Sequence, residues 1–211
     1  MSGVLIPLWT GAGILVGSML VAPTLRLLAN PSSGPLSVTL SIPALTAFTF
    51  AVTAWRFGAS YDLVPYSVLA SVGVPLGVID ALERRLPRRF LLPSTLVFGA
   101  LLLGSAAVDA KTSDLFRALA GMAILVVVYL GMALLMSGGL GAGDVKLGGL
   151  LGLALGWLGW NTLLMGTLLG WLTAALTCLL LRATGHWTRG SDVPLGTFLL
   201  LGALMAISIP S

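Results

Sequence analysis

Charged residues are scarce in this sequence, and their scarcity excludes most soluble folds. Only 9% of the 211 residues are charged, whereas 57% are hydrophobic. A typical soluble domain carries about 25% charged residues, so this chain has too little polar surface to face water on all sides. Apolar segments of about 20 residues, the length that a membrane-spanning helix needs, recur from Val4 to Ile209. The composition predicts an integral membrane protein.

Cysteine and histidine each occur once, which limits redox and metal chemistry. The single cysteine, Cys178, excludes an intrachain disulfide and a multi-cysteine metal site. Because it lies inside an apolar run, we expect it to be a small buried hydrophobic residue. The single histidine, His186, has no second ligand at a suitable spacing, so we expect it to lie solvated in a loop. No metal and no cofactor is expected.

Apolar length and helix breakers predict an all-α membrane protein with about eight transmembrane helices in one domain, residues 1–211. The first apolar stretch, Val4 to Leu28, has no basic region before it and is too long for a signal-peptide core, so we expect it to be retained. Val145 to Leu181 is almost continuously apolar, and only Gly159 to Asn161 suggests a turn. A single helix there would reduce the number to about seven. The predicted spans are residues 4–28, 37–55, 63–82, 90–108, 116–136, 145–160, 162–181 and 193–209.

The basic residues predict the orientation in the membrane. A net charge of +4 would suggest nucleic-acid binding in a soluble protein, but here Lys and Arg lie in short connections, where they set topology. Lipid is therefore the expected surrounding, and no nucleic-acid partner is expected. Alternate connections hold three basic residues on one side, Arg56, Lys111 and Arg117, and eight on the other, Arg26, Arg84, Arg85, Arg88, Arg89, Lys146, Arg182 and Arg189. The richer side is predicted to be cytoplasmic, which places both termini outside if eight helices span.

The sequence contains 27 glycines, and some of them recur at helical spacing. Small residues at such intervals allow membrane helices to approach closely, so we expect these glycines to form helix contacts. The two sets are Gly11, Gly13 and Gly17, and Gly148, Gly152 and Gly156.

Most of the seven acidic residues have ordinary explanations. Asp62, Asp109, Asp114 and Asp192 lie in connections or at helix starts, where solvation or helix capping accounts for them. Asp80 differs, because it ends an apolar run and so lies at the membrane boundary. An ionisable group at that depth is costly and generally has a function.

Asp144 closes a glycine-rich segment, Gly138 to Gly149, in which six of twelve residues are glycine. A phosphate-binding loop would end in Gly-Lys-Ser or Gly-Lys-Thr, whereas here an aspartate that would repel phosphate precedes Lys146. A plain helix start, with Asp144 as its cap and Lys146 reaching the lipid surface, explains the segment when it is considered alone.

Taken together, Asp80 and Asp144 suggest chemistry. Each is predicted at the cytoplasmic boundary of a different helix, which is the arrangement that a catalytic carboxylate pair requires. Two carboxyl groups held close cannot both ionise cheaply, so they share one proton. The protonated group polarises a scissile carbonyl and the ionised group activates water, and the two titrations belong to the pair. The sequence leaves open which aspartate takes which role.

Two charged neighbours have alternative interpretations. Glu83 lies one helical turn from Asp80, where it either repels that charge or, in the favoured interpretation, pairs with the arginines from Arg84 to Arg89. Lys146 either favours ionisation of Asp144 or, in the favoured interpretation, anchors the helix at the lipid interface.

Three segments resemble those of type IV prepilin peptidases. Gly141-Ala142-Gly143-Asp144, with Lys146 two residues later, resembles the family's GxGD-x-K signature. Ile79-Asp80, followed by Leu86-Pro87, resembles the segment with the family's first catalytic aspartate. Val193 to Leu199 is similar to the family's Pro-Phe-Gly-Pro-Phe segment with two substitutions.

The resemblance implies an aspartic endopeptidase in which Asp80 and Asp144 cut leader peptides of prepilin-like or pseudopilin-like substrates. The cut would fall at the cytoplasmic face of the cell membrane, on the N-terminal side of the pilin's hydrophobic helix. The enzyme would serve type IV pilus assembly or protein secretion. Gly141, Gly143 and Pro87 would then belong to the supporting motif of the site.

The resemblance is incomplete in one connection. Larger bacterial members resemble two-function enzymes that carry a cysteine-containing cytoplasmic insert between the first two helices. Here that connection is only Ala29 to Leu36 and contains no cysteine, so it cannot hold a zinc site. The sequence therefore favours a minimal peptidase without N-methyltransferase activity, and it leaves the oligomeric state open.

Two other functions compete with this one. An intramembrane protease of the presenilin or signal-peptide-peptidase type shares the GxGD core, but Lys146 and the Pro87 loop argue against it. A small ion- or proton-coupled transporter would use Asp80 and Asp144 as intramembrane carboxylates. Their predicted position at the boundary, rather than at the midplane, disfavours a transporter.

Overall fold

The computed structural model describes residues 2–28, 35–135, 140–184 and 194–209. These parts of the chain form eight α-helices and contain no β-strand. The predicted all-α class is confirmed, and the seven-helix alternative is wrong. The helices are α1 (Ser2–Leu27), α2 (Pro35–Phe57), α3 (Leu63–Glu83), α4 (Arg88–Asp109), α5 (Thr112–Leu135), α6 (Ala142–Leu158), α7 (Trp160–Ala183) and α8 (Leu195–Ser208).

A single residue, Gly159, separates α6 from α7. Its φ of 150° and ψ of 162° form a conformation that residues with a side chain rarely adopt. Arg117 on α5 donates hydrogen bonds to the carbonyl oxygens of Gly156, at 2.8 Å, and Trp157, at 2.5 Å. These bonds satisfy two carbonyls that the end of a helix leaves without an intrahelical partner. The predicted turn is thus confirmed, although Trp160 already belongs to α7.

Six of these helices are long and apolar enough to cross a membrane, and the chain is a multi-pass membrane protein. The other two, α6 and α8, have 17 and 14 residues. At about 1.5 Å per residue, α8 is about 21 Å long, which is shorter than the roughly 30 Å hydrocarbon core of a bilayer. Every residue from Leu147 to Trp157 on α6 is buried. The short helix α6 therefore lies at the centre of the bundle, packed against α4, α5, α7 and α8.

Glycines allow the closest helix contacts, within the pairs α1–α2, α5–α6 and α7–α8. A Cβ atom added at Gly17 would lie 2.6 Å from the Cα of Pro43, and one at Gly152 would lie 2.5 Å from the carbonyl oxygen of Gly121. Atoms cannot pack that closely, so a side chain at either position would push the helices apart. The predicted packing role is confirmed for Gly13, Gly17, Gly148, Gly152 and Gly156. It is wrong for Gly11, where an added Cβ would meet no atom within 4 Å.

Asp62 occupies the N-cap position of α3, as predicted for a helix start, but its side chain is neither solvated nor bonded to the helix, so the predicted explanation for it is wrong. Asp62 is 8% exposed and makes no capping hydrogen bond. Its carboxylate accepts hydrogen bonds from Nε1 of Trp157, at 3.1 Å, and Nζ of Lys111, at 3.3 Å. The pKa of Lys111 is raised above its usual range, chiefly because Asp109 accepts a hydrogen bond from it, while partial burial opposes this shift and the Asp62 charge adds to it. This cluster ties α3 to the C-terminal end of α6.

Candidate active site

Asp80 lies in the last turn of α3, with 4% of its surface exposed. The helix ends there because Arg84 adopts a left-handed conformation, with φ 51° and ψ 37°, and its N–H donates to the carbonyl oxygen of Asp80 at 2.8 Å. A residue in this conformation is a common way for an α-helix to stop. The C-terminal end of α3 therefore places one buried carboxyl group, that of Asp80, at one end of the bundle.

The Asp80 carboxylate is held by the first turn of α8. Thr197 donates two hydrogen bonds to Oδ2 of Asp80, one from its backbone N–H at 2.7 Å and one from Oγ1 at 3.0 Å. The first N–H groups of a helix have no intrahelical acceptor, and they attract negative charge. Gly196 allows the approach, because a Cβ there would lie 3.0 Å from that same oxygen. Asp80 thus fills an anion site at a helix N-terminus.

The Thr197 hydroxyl has a second acceptor within reach. Its Oγ1 lies 3.0 Å from the carbonyl oxygen of Gly77, one turn before Asp80 on α3. A hydroxyl carries a single hydrogen, so it donates to Gly77 or to Asp80 at any moment. When the hydroxyl donates to Gly77, its oxygen can accept a hydrogen bond from a protonated Asp80 carboxyl group. Thr197 therefore accommodates either protonation state of Asp80.

Asp144 lies in the first turn of α6, because this helix begins at Ala142, three residues before the predicted start of the span at Val145. Its Oδ2 accepts the backbone N–H of Gly141 at 3.0 Å, and its own N–H donates to the carbonyl oxygen of Gly141 at 3.0 Å. Glycine has no side chain to return the first bond, so only one half of a capping box is present. The predicted helix start is confirmed, but Gly141 rather than Asp144 occupies the N-cap position. The negative charge of Asp144 again lies at a helix N-terminus.

The two carboxyl groups share one neighbourhood. Asp80 lies against Gly196 on α8, and Asp144 directly follows Gly143 on α6. Leu86, in the connection between α3 and α4, contacts the N-terminus of α6 and the N-terminus of α8. A Cβ at Gly143 would lie 2.8 Å from Cβ of Leu86, and one at Gly196 would lie 3.0 Å from its Cδ1. Three chain segments that are distant in sequence thus converge around this buried leucine.

The supporting residues predicted from sequence have different positions. The ion pair between Glu83 and Arg85, at 2.6 Å, confirms the pairing interpretation of Glu83. Arg85 also donates to the carbonyl oxygen of Leu27 at 2.9 Å, which ties this loop to the end of α1. Lys146 is exposed, as an interfacial anchor requires. Pro87 caps the start of α4 next to Leu86. His186, Arg189 and Asp192 lie outside the described residues.

Sequence reasoning did not single out Thr197, Gly196 or Leu86 as site residues. Gly196 and Thr197 lie in the segment from Val193 to Leu199, which the sequence marked only by its resemblance to a family segment. Thr197 is 117 residues from Asp80, and the resemblance did not indicate their contact. A further signal is a polar residue after a glycine at the start of an apolar helix, which is where free N–H groups occur. In the parts of the chain that the structure describes, no three His, Cys, Asp or Glu side chains are grouped as a metal site would require.

The comparison with known families assigns the chain. Residues 67–207 match the type IV leader peptidase family, a stretch that includes Asp80, Asp144 and Thr197. The chain belongs to this family. The resemblance seen in the sequence motifs is therefore confirmed for most of the chain.

Curated relatives within this family carry a two-part name. The chain is 34% identical over 147 residues to the prepilin leader peptidase/N-methyltransferase of Myxococcus xanthus, covering 69% of this chain and 43% of that protein. It is 30% identical over 159 residues to the protein of that name from Pseudomonas putida, covering 74% of this chain and 53% of the relative. The Bacillus subtilis protein is 34% identical over 112 residues, which cover 53% of this chain and 43% of the relative. The chain thus spans about half the length of these relatives. No solved structure matches it significantly.

Proposed function

We propose that this chain is a membrane-embedded aspartic endopeptidase that removes the leader peptide of type IV prepilin-like substrates. Asp80 and Asp144 are the proposed catalytic pair. The observation that carries the proposal is their convergence from α3 and α6 at one end of the bundle, where each carboxylate receives hydrogen bonds at a helix N-terminus. Membership in the type IV leader peptidase family supports the substrate class.

The proposed reaction is the addition of water to a peptide carbonyl. One carboxylate of the pair accepts a proton from a water molecule as its oxygen attacks the carbonyl carbon, while the other carboxyl group donates a hydrogen bond to the carbonyl oxygen. The tetrahedral intermediate then collapses, the C–N bond breaks, and the leaving amine takes up the proton that the first carboxylate had removed from water. Buried surroundings strengthen these interactions because water cannot screen them. The shared proton returns to the pair at the end of the cycle.

The proposed location is the cytoplasmic face of the cell membrane. Arg84 and Arg85 lie in the connection that follows Asp80, and Arg88 and Arg89 begin the next helix, α4. Basic residues concentrate on the cytoplasmic side of membrane proteins. A leader peptide that waits on that side would meet both carboxyl groups there.

N-methyltransferase activity is not part of the proposal. The curated relatives carry that activity in their names, but they are about twice as long as the matched segment. In this chain the connection from Ala29 to Leu36 has no cysteine, and Cys178 is the single cysteine of the sequence.

Purified protein mixed with a prepilin-like substrate in detergent tests the activity directly. We expect the substrate to lose its leader, with a new N-terminus at the start of its hydrophobic helix, as read by mass spectrometry. An ion flux through vesicles that contain the protein, without any cleavage, would instead support a transporter.

Thr197 offers a finer test of how Asp80 is held. We expect Thr197→Val to lower kcat by about tenfold, because it removes one hydrogen bond to a charged group and keeps the side-chain shape and the backbone N–H. Thr197→Ser keeps the hydroxyl and is the matched control, with a rate near that of the unmodified protein. Steady-state cleavage rates measure both. Equal rates for the valine and serine variants would contradict a role of the hydroxyl.

A further inference from the structure

An apolar groove lies between α2, α3 and α8 and has a cavity volume of about 260 Å³. Several of its wall residues are well exposed, including Leu45, Phe48 and Leu201, so the groove opens at the lipid-facing surface of the bundle. The residues that line it are Leu45, Phe48, Thr49 and Thr53 on α2, eight residues of α3 from Tyr66 to Ala81, Leu151 on α6, and six residues of α8 from Thr197 to Ile207.

One end of the groove is continuous with the candidate active site. Thr197, Gly77 and Ala81 line this end. Thr197 is the residue whose N–H and hydroxyl hold Asp80. The groove then follows α3 back to Tyr66, a distance of fifteen residues or about 22 Å along the helix. A molecule lying in it would run from the carboxyl pair into the membrane.

The α3 wall of the groove is made of small residues. Ala70, Gly73, Gly77 and Ala81 all line it, at intervals of three or four residues that place them on one helix face. A Cβ at Gly73 or Gly77 would meet only the side chain of Leu200, at 3.3 and 3.4 Å. Faces of this kind let a second helix approach a backbone closely in a membrane.

The α2 wall of the groove offers no unpaired polar group to a bound molecule. Thr49 and Thr53 point their hydroxyl groups back to carbonyl oxygens of their own helix, at 3.0 Å to Leu45 and 2.9 Å to Phe50. Such internal bonds satisfy the hydroxyls, so the wall is effectively apolar. It would recognise hydrophobicity and helical shape rather than a particular sequence.

We propose that this groove holds the hydrophobic helix of the substrate, in the stretch that directly follows the scissile bond. The inference rests on the proposed function, in which the cut falls just before an apolar helix. A substrate cut at the Asp80 end must continue into the membrane from there, and the groove is the apolar path that begins at Thr197. Its length of about 22 Å accommodates about fifteen helical residues. The small face of α3 fits a packed helix better than a loose acyl chain.

Filling the groove tests the proposal. Gly73→Leu places a large side chain on the α3 wall, where an added Cβ would meet only the flexible end of the Leu200 side chain. We expect it to raise KM for a membrane-anchored prepilin-like substrate by at least about tenfold, because the substrate helix must compete with the new side chain. Gly104→Leu on α4 is the matched control, since a Cβ there meets nothing within 4 Å. It should leave KM unchanged.

A photo-crosslinking experiment keeps the proposal testable if Gly73→Leu fails to fold. Benzoylphenylalanine replaces Phe48 in the groove or Phe116 on α5, which are 58% and 73% exposed, in an Asp144→Asn background that retains uncut substrate. We expect substrate adducts at position 48 and none at position 116, mapped to the substrate's hydrophobic helix. Lipid adducts alone at position 48, or an unchanged KM in a folded Gly73→Leu variant, would overturn the groove proposal. Absence of cleavage by the unmodified protein would overturn the proposed function instead.

Discussion

Replacing either Asp80 or Asp144 with asparagine should lower the cleavage rate by at least about a thousandfold. An amide neither takes a proton from water nor shares one with a neighbouring carboxylate, and loss of general acid–base chemistry commonly costs factors of 10² to 10⁴. Each single substitution removes the pair, so the double variant should be no worse than either single one. The measurement is the leader-cleavage rate of a prepilin-like substrate, in detergent and in cells.

The folded structure should survive both substitutions. The amide oxygen of asparagine can accept the Thr197 N–H at position 80 and the Gly141 N–H at position 144, so the contacts of each side chain persist. Asp114→Asn is the matched control, because it makes the same chemical change in an ion pair with Arg117, away from the candidate site. Complete processing by either single variant, at a normal level in the membrane, would refute the carboxylate-pair mechanism.

Gly202→Ala should destabilise the protein strongly, although alanine forms helices better than glycine does. A Cβ at Gly202 would meet the backbone nitrogen of Gly170 and, at 2.6 Å, the carbonyl oxygen of Gly166. Both are backbone atoms that cannot rotate away, so α8 must move off α7. We expect a loss of about 3 kcal/mol in the free energy of unfolding, which is the range for an overpacked core. Thermal unfolding in detergent would show it.

Gly131→Ala on α5 is the control for this prediction. An added Cβ there meets no atom within 4 Å, so this variant should be as stable as the unmodified protein or slightly more stable. Equal melting temperatures for the two variants would mean that α7 and α8 do not pack through Gly202. Because α8 carries Thr197 to Asp80, the Gly202 variant should also lose activity before it unfolds.

The helices were predictable from apolar runs interrupted by charged or glycine-rich connections, which gave eight segments that agree with the eight described helices. For six of them the thickness of the bilayer also sets the length, whereas α6 and α8 are shorter. Even the shortest interruption, at Gly159, left a signal in the sequence. The start of α6 was less predictable, since glycines at 141 and 143 carry no hydrophobic signal, and the helix includes Asp144.

Long-range contacts were not predictable in the same way. Thr197 approaches Asp80 because α8 packs on α7 through glycine and on α3 through Leu200, and no local pattern encodes that meeting. Asp62 looked like a loop residue because its partners, Trp157 and Lys111, are 95 and 49 residues away. The motif around Asp144 predicted the family correctly, whereas the catalytic roles of both aspartates stay predictions.

Contacts at the C-terminal end of α6 hold the helix that carries Asp144 in place, and Asp62 links the start of α3 to the same end. At the C-terminal end of α6, Arg117 donates to the last carbonyl oxygens, and Asp62 accepts a hydrogen bond from Trp157. Gly159 is the single residue between α6 and α7, so the connection has no slack. These contacts therefore fix the position of Asp144 along the axis of the bundle. Asp80 and Thr197, in contrast, belong to α3 and α8, the two helices that flank the groove. A substrate helix that binds between them, as proposed, would contact mainly the helices that carry Asp80 and Thr197, and only Leu151 of the helix that carries Asp144. Its binding would therefore act on the geometry of the pair chiefly through Asp80 and Thr197.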